Sequence, residues 1–489
     1  MKNKLFATLM LCVSTVAVFG QGITFHQGEK SWKKPTQKVD YLLPADADGQ
    51  MLSVEYELNI TGKVKAVRVR QIDGEWNETA MVKIDDTRES YVNEAFRKGD
   101  RIHLLLGKWE KKGYKMRHVV VSASGLKVVT DSLLLDISQG KGEELYIKTA
   151  LSPEKKHVAL VYTVWNEKSN QSHATAMLFD GNMRKQFGQP LWYGDVSQII
   201  VTDRGTVATA CLLGAKDHQS TLLRMNVIDA YGRKQDEVVL KGDLEQVALL
   251  NYTSGKLLCT ALEGEGGHGL WGKRQYVAFH TLLYDMNAST LKVGTRHAFT
   301  REEIATFENV DTDTKVSSKS SNFILRLNQT TTPGGGAVIY QRKWKMSTYK
   351  NGMEVSSTIH RKGMLVVNVD TLGNILWVRG IMQNNQHAGE IQDAPLLYHN
   401  GKLYVFTNES KDETSNYTPQ TAAKHSKSLL MANAALAAYC FTADGQGSKQ
   451  MLETEEKGIL QSPLFDFGGG KYILLTGGNT PKISSITIP

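Results

Sequence analysis

The chain reads as an all-β protein, a β-propeller built of four-stranded antiparallel blades. Three observations lead there. Short strands with apolar–polar alternation follow one another along most of the chain, separated by Asp/Gly-type turns. One unit recurs: an apolar strand, a hairpin of variable length, a second strand, a turn and an outer strand, with a short strand ahead of each unit. Unit starts near Arg101, His157, Thr206, Lys256, Ala337, Lys402 and Lys471 lie roughly 50 to 80 residues apart, the spacing of blade repeats. Helical periodicity is almost absent, which argues against α/β folds and TIM barrels. The count is seven blades, with six and eight as the alternative counts. Two consecutive all-β domains are the other architecture this pattern allows.

The chain begins with a processing segment. Lys2 and Lys4 precede an apolar run over Leu5–Phe19, and Val18-Phe19-Gly20 places small residues at the cleavage positions. Residues 1–20 are therefore expected to be a signal peptide, with Gln21 as the mature N-terminus. The run is too short to span a bilayer comfortably. Cys12 lies inside it rather than at its end, a poor place for lipidation. The expectation is a secreted or periplasmic protein with no transmembrane segment after signal removal.

Residues 21–50 are polar, with a basic cluster at Lys30–Lys38, and read as an irregular lead-in to a single propeller over 51–489. Strands begin at Met51–Leu58, with Val64–Ile72 and Ala80–Ile84 after it. The clearest unit is Thr206–Leu213, Ser220–Ile228 and Asp236–Leu240, broken at Asp229-Ala230-Tyr231-Gly232. After the fourth unit, Thr300-Arg301-Glu302-Glu303 is a capping box that predicts a short helix over Arg301–Phe307. The fifth unit has a long hairpin, Ala337–Met346 returning through Met364–Val369, with its tip near Lys350-Asn351-Gly352. The sixth carries a polar insertion over Glu409–Ser428. The C-terminal unit lacks an outermost strand. The strands between Met51 and Ile84 are left over at the other end, so their pairing would hide two sheet edges and close the ring.

An apolar fraction of 41% with 22% charged residues is that of a chain able to bury a core. The formal charge of +8 falls to +6 once Lys2 and Lys4 leave with the leader, which is modest for 489 residues and argues against a nucleic-acid partner. Cys211, Cys259 and Cys440 remain, an odd number with no disulfide framework. Buried free thiols are the reading, one disulfide with a leftover thiol the alternative.

In the fifth unit, Val369-Asp370-Thr371-Leu372-Gly373-Asn374-Ile375-Leu376-Trp377 resembles the PQQ-like propeller repeat. The resemblance implies that aspartate and glycine satisfy the turn and that Trp377 locks adjacent blades. Asp229–Lys234 echoes it without the tryptophan. The cofactor-site pattern of the quinone-dependent members is absent, so the resemblance implies architecture alone and no cofactor.

No catalytic or metal motif stands out. Asp311-Thr312-Asp313 lacks the later ligands of a calcium hand. Asp393 and Asp466 are the acids on or near inner strands, and both read as turn or hydrogen-bonded structural carboxylates. The candidate binding residues fall in two hairpins. Arg342-Lys343-Trp344-Lys345, with Tyr349 and Lys350, joins cations to an aromatic. On a strand, Arg342 and Trp344 share one face and Lys343 and Lys345 the other. Such a hairpin suits an acidic partner, a glycan or a lipid surface. The glycine-rich loop over Gly264–Lys273 adds His268 and Trp271, though a long hairpin tip explains its glycines equally well. The functional expectation is a non-enzymatic, exported binding or assembly platform in the bacterial envelope, engaging a protein or glycan through blade hairpins. The alternative is a carbohydrate-active propeller enzyme, a hydrolase or lyase, with polar residues at the axis.

Overall fold

The computed structural model describes residues 22–31, 37–44, 50–59, 63–73, 77–166, 168–169, 171–191, 196–214, 220–251, 255–265, 275–310, 324–350, 353–388, 393–410, 434–452, 464–476 and 482–489. Its strands form eight four-stranded antiparallel sheets. Blades 1 to 7 take their strands consecutively, over 37–84, 90–138, 143–191, 196–241, 243–298, 324–388 and 396–452. Blade 8 consists of Phe465–Asp466, Lys471–Thr476 and Lys482–Thr487, completed on its outside by Thr24–Ser31. Thr24 pairs with Thr487 and Phe25 with Ile486, so one sheet holds strands from both ends of the chain.

The expected count of seven blades is thus corrected to eight, and the ring closes differently. The strands from Met51 to Ile84 do not complete the C-terminal blade. They join Gln37–Pro44 in a full blade of their own, and the closing strand comes from the supposed lead-in. Two physical causes hid this. Thr24–Ser31 (TFHQGEKS) is an outermost strand with a partner on one side only, so it lacks an apolar alternation. The innermost strand of blade 2, Ser90–Lys98, shifts register between Val92 and Glu94. A bulge resets the alternation and breaks the period-two signal.

The core is divided among the blade interfaces. One cluster joins Val54, Val67 and Val69 of blade 1 to Val92, Ile102 and Leu104 of blade 2. Another joins Leu42, Met51 and Ile72 of blade 1 to Ile473, Leu475 and Ile483 of blade 8, so apolar packing also runs across the closure. Cys211 and Cys259 are buried and Cys440 is partly buried; none is in a disulfide.

Innermost strands are tied to their neighbours by side-chain bonds to main chain. Tyr41 Oη donates to Asn93 O at 3.4 Å, Thr149 Oγ1 to the same carbonyl at 3.2 Å, and Lys148 Nζ to Ser197 O at 2.6 Å. Leu249 N–H donates to Gln198 Oε1 at 2.6 Å, Gln246 Nε2 to Ile324 O at 2.8 Å, and Asn328 Nδ2 to Ala394 O at 2.8 Å. These bonds link blades 1 to 7 in sequence. Many of these groups sit at or beside bulges, which re-aim side chains from their own sheet toward the next blade.

Antiparallel order sorts the connections onto two faces. Hairpins between second and third strands share one face with the crossings from blade to blade. The other face holds the remaining turns, many of them capped by aspartate. Asp180, Asp229, Asp285, Asp370 and Asp466 each accept main-chain N–H groups within their own turn.

Among the described residues, one helix stands on the hairpin face: α1, Arg301–Glu308, with the expected capping box between Thr300 and Glu303. It lies against blade 6, where Gly363 and Gly380 leave room for Thr306. A Cβ on Gly363 would stand 1.8 Å from Thr306 O. Among the described residues no helix is long and apolar enough to cross a membrane. Residues 1–20 and Gln21, His268, Trp271, Asp311–Asp313 and most of the insertion after Glu409 lie outside the described residues.

Candidate functional site

Blade 6 departs from its neighbours in height. Its second and third strands, Gly335–Lys350 and Met353–Asp370, run 16 and 18 residues, and its fourth, Ile375–Ala388, runs 14. Among the described residues, second and third strands elsewhere span 6 to 11 residues. At about 3.3 Å per residue, the excess lifts this ribbon roughly 20 Å beyond the ring on the hairpin face.

At the base of the ribbon the cations are paired rather than free. Arg342 bonds the carboxylate of Glu308 at the end of α1. Lys343 Nζ lies 2.6 Å from Asp393 Oδ1, and Arg361, 5% exposed, reaches the same oxygen at 3.2 Å. Lys362 Nζ donates to Glu308 O at 3.0 Å. Three cations therefore meet two carboxylates, and a fourth bonds a main-chain carbonyl. Burial lowers the pKa of both Arg361 and Lys362, and Arg342 lowers that of Lys362 further.

Trp344 stacks on His360 with ring centroids 4.8 Å apart and planes 5° from parallel, and the Arg342 guanidinium lies 4.9 Å above the indole. Arg342 and Trp344 thus share a face, while Lys343 faces blade 7 through Asp393. Lys345 pairs in register with Ile359 and is exposed, as is Met346 at 59%. Tyr349 and Lys350 continue the ladder opposite Glu354 and Met353. The structure brings Arg342, Lys343 and Trp344 together with Glu308, His360, Arg361 and Asp393. His268 and Trp271 lie outside the described residues. The acids were not legible as partners because they sit 34 and 50 positions from the cations they meet.

Polar groups continue from this base into the neighbouring blades. Gln341 Nε2 donates to Gln383 Oε1 at 3.0 Å, and Gln383 Nε2 donates on to Thr407 Oγ1 of blade 7. Tyr439 Oη donates to Glu409 at 2.8 Å. In blade 5, Glu263 takes Arg296 through two bonds of 2.7 and 2.9 Å and His280 at 2.7 Å. Burial pushes this carboxyl up, but the bonds from His280 and Arg296 prevail and bring it down to about 2.

Near the axis, Glu94 has its pKa raised to about 7 by burial, and Asp40 accepts from Tyr56 Oη at 2.9 Å. Burial, Glu94 and Asp40 all raise the pKa of the Tyr41 phenol. Sequence reasoning missed these acids because the inner strands of blades 1 and 2 went unrecognised. Asp466 accepts from Gly468 N at 2.7 Å, a turn cap as expected, and Asp393 is an ion-pair partner. Among the described residues no group of three or more His, Cys, Asp or Glu side chains is placed to hold a metal ion.

The stretch singled out in the fifth unit acts as a lock between blades. Asp370 Oδ1 accepts from Leu372 N and Asn374 N, each at 2.8 Å. Gly373 O accepts from Thr281 Oγ1 of blade 5 at 2.6 Å. Trp377 Nε1 donates to Ala443 O of blade 7 at 2.9 Å.

No protein-family model matches the chain, and no curated protein does. The solved structures similar to it share little of its sequence. Sqt1 of Chaetomium thermophilum, bound to the N-terminus of a ribosomal protein, is 11% identical with a TM-score of 0.41, over 95% of this chain and 100% of that one. The polysaccharide lyase Uly1 is 9% identical with a TM-score of 0.39, over 83% and 93%. The β-propeller domain of the Trilobed protease from Pyrococcus furiosus is 9% identical with a TM-score of 0.34, over 81% and 93%. At these identities the likeness concerns architecture alone. The PQQ-like resemblance of Val369–Trp377 has no support beyond that stretch.

Proposed function

We propose that this propeller is a non-enzymatic, exported binding or assembly platform that engages a protein or glycan through its hairpin face at blades 5 to 7. One observation carries the reading. The ribbon of blade 6 stands above the ring, braced by α1 and held at its base by ion pairs. Rigid scaffolds place recognition on such blade-specific extensions. Lys345 and Met346 offer a cation and an apolar side chain on the exposed part of the ribbon, and the paired cations below fix its direction. Export rests on the leader at residues 1–20.

The carbohydrate-active alternative is favoured by a different observation, the carboxyls of Asp40 and Glu94 around Tyr41. Burial raises the Glu94 carboxyl to about 7, a value suited to a proton donor, and Asp40 accepts from the Tyr56 phenol. Glu94→Gln abolishing hydrolysis or lysis of a glycan substrate would support that alternative over the platform.

The platform reading is tested by quantitative affinity capture of the full chain and of the Lys345→Glu, Met346→Ser double variant after crosslinking in the native host. The expected result is one dominant partner, reduced at least about tenfold in the variant, or about 1.4 kcal/mol. Equal recovery from both proteins removes the ribbon from the proposal.

A further inference from the structure

The opposite face holds a cleft that the ribbon does not explain. It lies between blades 4 and 5, has a volume of about 460 Å3, and falls in the range of small-molecule sites. Its origin is a missing lock. In blade 6, Trp377 pairs in register with Asn368, two residues before the turn aspartate Asp370, and fills the interface with blade 7. Only about 90 Å3 remains there. In blade 4 the same ladder position, opposite Val227 and two residues before Asp229, is Lys234. A flexible ammonium replaces a packed indole, and the space stays open.

The walls of the cleft show what it suits. Arg204 and Lys234 line it, both are exposed, and among the described residues neither has a carboxylate partner. Its two acids are engaged in the backbone: Asp203 accepts from Glu154 N at 2.9 Å, and Asp229 from Tyr231 N at 2.8 Å. Thr202, Thr206 and Asn287 add hydroxyl and amide groups, and Val227 and Met286 an apolar part. Tyr231, on the turn that begins with Asp229, is 99% exposed, a ring against which the C–H face of a sugar can lie.

We propose that this cleft binds a short acidic saccharide. Its uronate or sulfate group meets Arg204 and Lys234, and its hydroxyls meet Thr202, Thr206, Asn287 and the outer oxygens of Asp203 and Asp229. Arg supplies a planar fork for such oxyanions and Lys a point charge. The site is independent of the hairpin-face reading, since the two lie on opposite faces and are altered by separate variants.

The test is calorimetric titration of the full chain with a trigalacturonate, a sulfated trisaccharide and a neutral trisaccharide of equal length. Saturable binding of an acidic probe, with the neutral one at least about tenfold weaker, is expected, and the acidic probe that binds identifies the group. Arg204→Ala should weaken it by about tenfold or more, since a charge-assisted contact is lost. Lys234→Trp should abolish it by restoring the indole of the sister interface. Arg204 is an exposed turn residue, so its variant keeps the test valid if Lys234→Trp misfolds. No binding by either acidic probe, equal binding of the neutral one, or an unchanged Arg204→Ala would each overturn the proposal.

Discussion

Trp377 and Ala443 are joined across the interface of blades 6 and 7 by an indole-to-carbonyl hydrogen bond of 2.9 Å. The same indole packs 5.6 Å from the Phe441 ring, and a Cβ on Gly445 would stand 2.8 Å from its Cγ. Gly445 is thus required twice, for the space and for its φ of +81°. Trp377→Ala is expected to destabilise the protein by about 3–5 kcal/mol, and Trp377→Phe by about 1–2 kcal/mol, because phenylalanine keeps much of the packing and loses the bond. Denaturant unfolding of the two variants checks the order.

Helix α1 depends on two glycines. With Thr306 O at 1.8 Å from a Cβ on Gly363, an alanine there must push the helix outward. Gly363→Ala is expected to cost about 1–3 kcal/mol. It should also raise amide exchange over residues 300–310, while exchange in blade 2 stays unchanged. Loss of exchange protection spread evenly over all blades would contradict the helix's local seating.

Asp393 holds two cations, one of them the buried Arg361. Asp393→Asn removes the carboxylate that Lys343 and Arg361 share and is expected to destabilise by about 1–3 kcal/mol. The double change Asp393→Asn, Lys343→Met should recover part of that loss. A double-mutant cycle measures the coupling.

Two buried groups give opposite pH dependences. His103 Nδ1 and His118 Nε2 lie 3.0 Å apart in blade 2, with His103 stacked on Phe96 at 4.8 Å. Burial, then His118, lowers His103 from 6.5 to about 4, so the unfolded chain takes protons that the folded one refuses. Its contribution is full above pH 6.5 and is lost as pH falls toward about 4. Glu94 behaves in the reverse sense: raised from 4.5 to about 7, it favours the folded state fully below pH 4.5 and loses that contribution as pH rises through about 7. Glu94→Gln should therefore raise the thermal midpoint at about pH 8 more than at about pH 5. An equal effect at both would contradict a protonated, buried Glu94.

What the sequence disclosed follows from which forces are local. Val207–Gly214 was legible as a nearly continuous apolar run because both its faces meet neighbouring blades. The α1 capping box was legible because its two bonds link residues three apart. Ser90–Lys98 was missed because its bulge breaks the alternation, and Thr24–Ser31 because an outer strand needs no apolar stripe. The site divides the same way. Arg342, Lys343 and Trp344 stand out in the chain, whereas Glu308, Asp393 and Arg361 become their partners only through the fold. The place of Lys234 opposite Val227 emerges only from strand register.

Contact between the ribbon of blade 6 and a partner is open to site-specific photocrosslinking in the native host. A photoreactive residue would replace Met346 on the ribbon, and in a second protein Leu372, 64% exposed on the opposite face. One discrete adduct from position 346 and none from 372 is the expected result. No adduct at 346, or the same adduct from both positions, would contradict it.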